Sequence, residues 1–239
     1  MKIANKREFS IGFGLFAAFW ITLAISMGPV FGGKNLLNVT DDLFNSVSKD
    51  SSDFIEKSKE EAKANVGTEV TFTTKGKDEA QTERIRKLFE KSGVSVTTKD
   101  KSLVVNGDLG EILTAAVDDA AAMFENNGSE IAKEYGFQDN DKANVDKFAR
   151  RVLFDWEEGL SVGQKDLTKN DHFENSKAVQ ETMERAVEPA YNYYGIEASS
   201  PGNEFIPISL ALIGYIIFTV WYGYSLLFMF EGWGLKLEH

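Results

Sequence analysis

Apolar residues are concentrated in two uninterrupted runs, one near each end of the 239-residue chain. The run over residues 9–31 has 23 residues without a charged side chain, and the run over residues 205–230 has 26. A helix needs about 20 apolar residues to cross the hydrocarbon core of a bilayer. The pattern therefore predicts one transmembrane helix over each run, with a polar domain, residues 32–204, between them.

Within this polar domain the hydrophobic spacing changes from helical to alternating and back. Apolar side chains recur near every third or fourth position over residues 36–64, which predicts one long amphipathic helix. Val70 and Phe72 then alternate with threonines, as in a strand. Residues 68–126 as a whole predict a βαββα unit, in which two helices cover one face of three strands. Its later elements are a helix over 78–92, a hairpin with strands over 94–98 and 102–106, and a helix over 109–126.

Two further helices are predicted after this unit, over residues 142–158 and 176–194. Pro189 lies inside the second of them and is expected to kink or end it. The predicted fold class is therefore α+β. One extracytoplasmic domain, containing the βαββα unit and additional long helices, is flanked by two transmembrane helices.

Charged residues beside the apolar runs predict the orientation of the chain in the membrane. The N-terminal tail, residues 1–8, carries Lys2, Lys6 and Arg7 against a single glutamate. Short basic flanks stay in the cytoplasm, whereas long loops translocate largely regardless of charge. We therefore expect cytoplasmic tails at residues 1–8 and 231–239 and an extracytoplasmic domain. In a bacterium this is an integral inner-membrane protein with its central domain in the periplasm.

One segment near each end of the chain resembles a sequence that is not part of a mature natural protein. Ala24-Ile25-Ser26 has the small-x-small form of a signal-peptide cleavage site, but the apolar run continues to Phe31, which favours a retained anchor. Residues 237–239, Leu-Glu-His, resemble the start of a vector-encoded polyhistidine tag, and we leave this tag remnant out of the fold argument.

Small residues recur every four positions along the first apolar run, at Gly14, Ala18, Thr22 and Ser26. In a helix this spacing places them on one face. Small residues let helix backbones approach closely in lipid, where packing drives association. We interpret this small-residue stripe as a helix-packing surface between copies of the chain. A chance arrangement is the alternative, because such residues are common in membrane helices.

Charge and cysteine content exclude several classes of protein. Residues 32–204 carry 34 Asp and Glu against 22 Lys and Arg. A domain this acidic should bind neither nucleic acid nor anionic headgroups, and a cationic partner is the alternative to a merely solvated surface. The absence of cysteine excludes iron–sulfur clusters, covalent haem and cysteine-based zinc sites. Neither apolar run holds an Asp, Glu, Lys, Arg or His, which argues against an ion-coupled transporter.

One group of aspartates has part of the spacing of a calcium-binding loop. It consists of Asp139, Asp141 and Asp146, but position 144 is Asn where the loop requires glycine. The twelfth position of the loop is Arg150, where a bidentate glutamate is required. Capping of a following helix by Asp141 explains the group better.

Other polar groupings are also incomplete as chemical sites. His172 follows Asp171 but has no second histidine nearby, so we expect no metal there. Asp155, Glu157 and Glu158 are interpreted as a solvated helix end rather than as paired catalytic carboxylates. We therefore expect no catalytic residue, no cofactor and no metal site, and we predict that the chain is not an enzyme.

The segment from Thr68 to Phe124 resembles the ring-building motif of secretins and of the basal-body rings of flagella and type III secretion systems. The resemblance lies in the element order and in the segments 69–72 (EVTF), 78–80 (DEA) and 88–94 (LFEKSGV). It implies that such modules pack side by side into a ring around a membrane pore. It carries over no catalytic residue, because the motif has none.

These observations lead to one function and two alternatives. The first is a non-enzymatic, homo-oligomeric membrane scaffold or ring. Its partners are other copies of the chain and the lipid bilayer, with other membrane-complex subunits as a further class and no nucleic acid. The alternatives are an accessory subunit of a larger membrane complex, such as a respiratory assembly, and the sensory half of a truncated two-span receptor.

Overall fold

The computed structural model describes residues 3–235 and divides them into two compact units. One unit is formed by residues 3–50 together with 198–235, and the other is the segment Ser51–Glu197. Lys2 and residues 237–239, on which parts of the sequence argument depend, lie outside the described residues.

The fold is mixed α+β and mostly helical. In chain order its elements are α1 (Lys6–Ser26), α2 (Leu36–Ser51), α3 (Ile55–Ala64), β1 (Glu69–Thr74), α4 (Glu79–Lys91), β2 (Ser95–Lys99), β3 (Ser102–Asp108), α5 (Leu109–Phe124), α6 (Gly128–Glu134), α7 (Lys142–Lys169), α8 (Phe173–Thr182), a π-helical turn (Met183–Val187), α9 (Glu188–Asn192) and α10 (Phe205–Gly232).

The first unit contains α1 and α10, which pack against each other and are each long and apolar enough to cross a membrane. The side chain of Asn5 caps α1 by accepting a hydrogen bond from the backbone N–H of Arg7. The helix ends before Gly28-Pro29, so it begins earlier and stops earlier than the apolar run over residues 9–31. Proline cannot continue the hydrogen-bond ladder, which explains why the last residues of the run are not helical.

A three-stranded antiparallel sheet forms one side of the second unit, with β3 at its centre between β1 and β2. The β2–β3 hairpin turns through Asp100 and Lys101, which both have positive φ. A two-residue type I′ turn requires positive φ at both of these positions. Val70, Phe72 and Val105 point into the core. The βαββα order is therefore as predicted from the sequence.

Helices α4 and α7 pack on this sheet, whereas α5 packs on α3 and on the C-terminal helices. Both helices of the βαββα unit were expected to cover the sheet, and the main partners of α5 are helices. Three aromatic rings connect β1, α4 and α7. Phe89 of α4 packs edge to face against Phe72 of β1 and Trp156 of α7, with ring centroids 5.7 Å and 5.4 Å apart. The residues of the main hydrophobic core, from Ile55 to Tyr194, all belong to this unit.

The helix predicted over residues 36–64 is two helices, because the chain leaves the helical conformation between Ser51 and Ile55. Serine and aspartate side chains compete with the backbone for its hydrogen bonds, and Asp53 indeed accepts one from the N–H of Ile55 at 3.3 Å.

The C-terminal half also departs from the predicted boundaries. Helix α7 continues to Lys169 instead of ending at Glu158, and the seven-residue helix α6 was not predicted. The helix predicted over residues 176–194 is divided into α8, the π-helical turn and α9. Pro189 is the second residue of α9 and follows the π-helical turn closely. Val187 and Glu188 keep helical dihedral angles, so the helix does not end at the proline.

Candidate functional site

A buried carboxylate, Asp119 of α5, lies inside the core of the Ser51–Glu197 unit. Only 2% of it is exposed. Its Oδ2 accepts hydrogen bonds from Trp156 Nε1 at 2.7 Å and from the Tyr135 hydroxyl at 2.6 Å. Burial raises the pKa of Asp119 to about 6, although these two hydrogen bonds act to lower it. The carboxylate therefore ties α5 to α7 and to the end of α6, and it titrates closer to neutrality than an exposed aspartate.

A second buried carboxylate, Asp155, contradicts the expected solvated helix end. It lies within α7 and accepts two hydrogen bonds from Arg84, at 2.6 Å and 3.1 Å, and one from Gln81 at 3.1 Å. Glu158 pairs with Lys77 at 3.1 Å. These charges are thus held by cations of the preceding chain, because α7 runs on past them and packs on α4.

The three aspartates with the spacing of a calcium loop each accept hydrogen bonds from other groups of the protein. Asp141 caps α7 by accepting from the N–H of Ala143 at 2.9 Å, which confirms the capping interpretation. Asp139 accepts from the N–H of Asp141 at 2.9 Å and from the Asn144 side chain at 3.0 Å. Asp146 accepts from the Tyr194 hydroxyl at 2.5 Å. Across residues 3–235 no group of three or more His, Asp or Glu side chains is arranged to hold a metal ion.

Two of the surface clefts have volumes of about 500 Å³ or more, which is enough for a small ligand. One, of about 500 Å³, lies where Lys91, Asp118, Glu134 and Tyr135 meet. One ion pair lies within this cleft, because Lys91 is 2.6 Å from Glu134 and also 3.9 Å above the Tyr135 ring. Burial raises the pKa of Asp118 there.

The other cleft, of about 620 Å³, lies along the N-terminal half of α7 and is called the basic cleft here. Its lining residues include Lys147, Arg150, Arg151, Phe154 and Tyr191. In the first cleft the Ser92 hydroxyl donates to the carbonyl of Phe89 at 2.8 Å rather than to a basic side chain. The residues that line the basic cleft include no serine, threonine or cysteine that could act as a nucleophile.

Helices α1 and α10 meet along a seam that the sequence argument did not identify. A Cβ atom added at Gly12 would lie 2.6 Å from the backbone nitrogen of Met229, so the two backbones touch where Gly12 has no side chain. Phe19 packs against Phe218 at 5.0 Å between ring centroids. Trp221 Nε1 donates a hydrogen bond to the carbonyl of Leu15 at 3.0 Å.

The small-residue stripe of α1 lies beside this seam rather than in it. Gly14 and Thr22 are exposed, and a Cβ atom added at Gly14 would meet nothing within 4 Å. Ala18 and Ser26 are half-buried, and the Ser26 hydroxyl donates to the carbonyl of Leu23 at 2.8 Å. At 3.6 residues per turn, the stripe is centred roughly a quarter of a turn from the seam. Among the described residues, Gly14 and Thr22 of the stripe therefore remain uncovered within a single chain.

The two edges of the sheet differ in how they are covered. At the β1 edge the N–H of Thr73 donates to Asp166 of α7 at 2.7 Å. In the described part of the chain no strand pairs with the outer edge of β2. The β2–β3 register, which starts from the Lys99–Ser102 pair at the turn, directs the backbone groups of Val96 and Thr98 toward that open edge.

Comparison with protein-family models, with curated proteins and with solved structures found no match to this chain.

Proposed function

We propose that this protein is a non-enzymatic membrane scaffold that assembles with further copies of itself through the small-residue stripe of α1. The observation that carries the proposal is the position of the stripe. The α1–α10 seam uses a different face of α1, so Gly14 and Thr22 remain free to contact a second copy. In lipid, where helices associate by close packing, small residues on an uncovered face favour such a contact.

The open edge of β2 supports assembly in the second unit. Antiparallel pairing of two β2 strands about Thr97 would place Val96 of one copy opposite Thr98 of the other, and each such pair can exchange two backbone hydrogen bonds. Lys99 would then face Ser95 of the other copy, so no like charges meet. Monomeric proteins usually block such an edge, as Asp166 does at β1.

The remaining features concern placement in the cell. The two long apolar helices anchor the protein in a membrane, and the basic N-terminal tail favours a cytoplasmic position for both termini. In a bacterium the acidic Ser51–Glu197 unit would then lie in the periplasm. The resemblance of residues 68–124 to the ring-building motif points to a ring, which requires at least three copies.

Native mass spectrometry of the detergent-solubilised chain tests the assembly. We expect an oligomer, and we expect Ala18→Leu combined with Thr22→Leu to shift it toward monomer because leucine separates the packed backbones. The matched control is Ala17→Leu combined with Ala24→Leu, which adds the same kind of bulk on a different face of α1 and should leave the oligomer intact. A monomeric unmodified chain would overturn the proposal and favour an accessory subunit of a larger complex. Equal loss of oligomer in both variants would assign the contact to another surface.

A further inference from the structure

The basic cleft is positively charged, although the protein as a whole is acidic. The chain has a net charge of −11, yet residues 142–151 of α7 carry four cations and one carboxylate. That carboxylate, Asp146, is bound by the Tyr194 hydroxyl, and Arg150 donates to the carbonyl of Tyr194 at 2.9 Å. Lys147 and Arg151 are exposed, and among the described residues no carboxylate lies within 4.0 Å of either. Two cations one helical turn apart are therefore available to an external anion.

Aromatic rings flank these cations on both sides. Phe154 and Tyr191 line the basic cleft. A neighbouring cleft of about 320 Å³ shares Lys147 and Arg151 and is lined by Phe137 and Phe148, whose rings stack at 4.3 Å. Cations that bind phosphate are combined here with apolar phenylalanine rings and one amphipathic ring, that of Tyr191. Tyrosine is enriched where a protein meets the headgroup region of a bilayer.

The position of the cleft along the chain favours a lipid surface over other anions. Tyr194, which contacts Arg150, lies three residues before Glu197, the last residue of its unit. Phe205, which begins the candidate membrane helix α10, follows eight residues later. The basic cleft thus lies near the end of its unit, a short distance along the chain before α10.

We propose that the basic cleft binds the phosphate headgroups of anionic lipids in the bilayer that α1 and α10 span. Lys147 and Arg151 contact the phosphates, and the flanking aromatic rings lie at the headgroup level. The net charge of the domain disfavours such lipids elsewhere on its surface, so this face sets the orientation of the domain on the membrane. The inference rests on the membrane anchoring in the proposed function but not on self-assembly.

Lysine footprinting of the full chain in lipid nanodiscs tests this site. The chain is placed in discs of phosphatidylcholine alone and in discs that also contain phosphatidylglycerol. Exposed amines are then acetylated with a water-soluble reagent and the peptides are quantified by mass spectrometry. We expect phosphatidylglycerol to slow acetylation of Lys147 by about fivefold or more, and we expect high salt to reverse this protection. Lys165, an exposed lysine of the same helix, forms no ion pair within 4.0 Å among the described residues. It is the internal control and should react equally in both discs.

Two variants make the test specific. Arg151→Gln should reduce the lipid-dependent protection of Lys147, whereas Lys169→Gln, the same charge change near the other end of α7, should not. Both residues are exposed, so neither change should alter the fold.

Three results would overturn the proposal. They are equal reactivity of Lys147 in both discs, protection by inorganic phosphate in phosphatidylcholine discs, and protection without phosphatidylglycerol that grows with the number of copies per disc. The second would indicate a site for soluble anions, and the third would indicate the carboxylates of a second copy. Co-elution of the chain with the discs tests the membrane anchoring separately. A chain that does not co-elute would contradict the anchoring, whereas a chain that co-elutes without protection of Lys147 would contradict only lipid binding by the basic cleft.

Discussion

At the scale of single residues, Asp119 couples the stability of the Ser51–Glu197 unit to pH. Its pKa is raised from 3.8 to about 6 by burial. The folded state therefore holds the proton more tightly than the unfolded state, and this contribution to stability is present below about pH 4. It is lost as pH rises through about 6, where the carboxylate ionises while buried. The shift corresponds to about 3 kcal/mol of the free energy of unfolding.

Replacing Asp119 with asparagine should remove this pH dependence. The amide oxygen of the substituted side chain can still accept from Trp156 or Tyr135, but the amide does not titrate. We expect the Asp119→Asn variant of the segment 51–197 to gain stability relative to the unmodified segment as the pH rises from 4 to 7. Urea unfolding followed by fluorescence of Trp156, the only tryptophan of this segment, measures the difference. Parallel stability curves for the two proteins would contradict the assignment.

The sequence indicates that Asp119 is buried, but it does not indicate which side chains bind it. Asp119 lies three residues after Ala116 and four before Met123, which are both buried on the same face of α5. A carboxylate on that face indicates a buried polar contact. Its donors could not be foreseen, because Tyr135 and Trp156 reach it from α6 and α7, and helical spacing says nothing about which distant elements meet.

At the scale of elements, the α1–α10 pair gives a matched test of two glycines on one helix. Gly12 lies in the seam and Gly14 does not, although only one residue separates them. Gly12→Ala would press its Cβ against the backbone of Met229, and overpacking of this kind typically costs about 1–3 kcal/mol. Gly14→Ala meets nothing within 4 Å and should leave the helix pair unchanged.

The fluorescence of Trp221, which is hydrogen-bonded to Leu15 across the seam, reports the pair during denaturation in detergent. The reporter requires Trp20, Trp156 and Trp233 to be replaced by phenylalanine in every protein compared. We expect Gly12→Ala to lower the midpoint and Gly14→Ala to keep it. Equal midpoints for the two variants would mean that the helices are not in contact along this face.

Helix α7 shows why sequence spacing failed to locate the end of an element. Glycine is a poor helix former, and Gly159 and Gly163 follow the point at which the helix was expected to end. The structure instead uses their small size: a Cβ atom added at Gly163 would lie 2.6 Å from the Phe72 ring, and one at Gly159 would lie 3.0 Å from Ile85. Close packing of α7 on β1 and α4 therefore overrides the local preference. Strands β1 and β3 and helix α4 were predicted well because their burial alternates or repeats locally.

At the scale of the whole molecule, two long apolar helices and a polar domain were evident from the sequence, because each is a property of many consecutive residues. The α1–α10 seam and the uncovered β2 edge were not, because each depends on which elements meet. The division into units also crosses the sequence order, since the first unit is built from both ends of the chain. Helix α2 belongs to that unit rather than to the polar domain from which it was predicted.

The orientation of the chain in the membrane provides the last prediction, and the lack of native cysteine makes it testable with single cysteines. Positive charge at Lys6 and Arg7 favours a cytoplasmic N-terminus, and a long acidic segment translocates largely regardless of its charge. Lys101→Cys at the β2–β3 turn and Lys169→Cys at the end of α7 are both exposed. Each should react with an impermeant maleimide in intact bacterial cells. Ala4→Cys leaves the basic tail intact and should react only after lysis. The reverse pattern would invert the orientation, and labelling of all three positions in intact cells would mean that the two apolar helices do not span the membrane as an antiparallel pair.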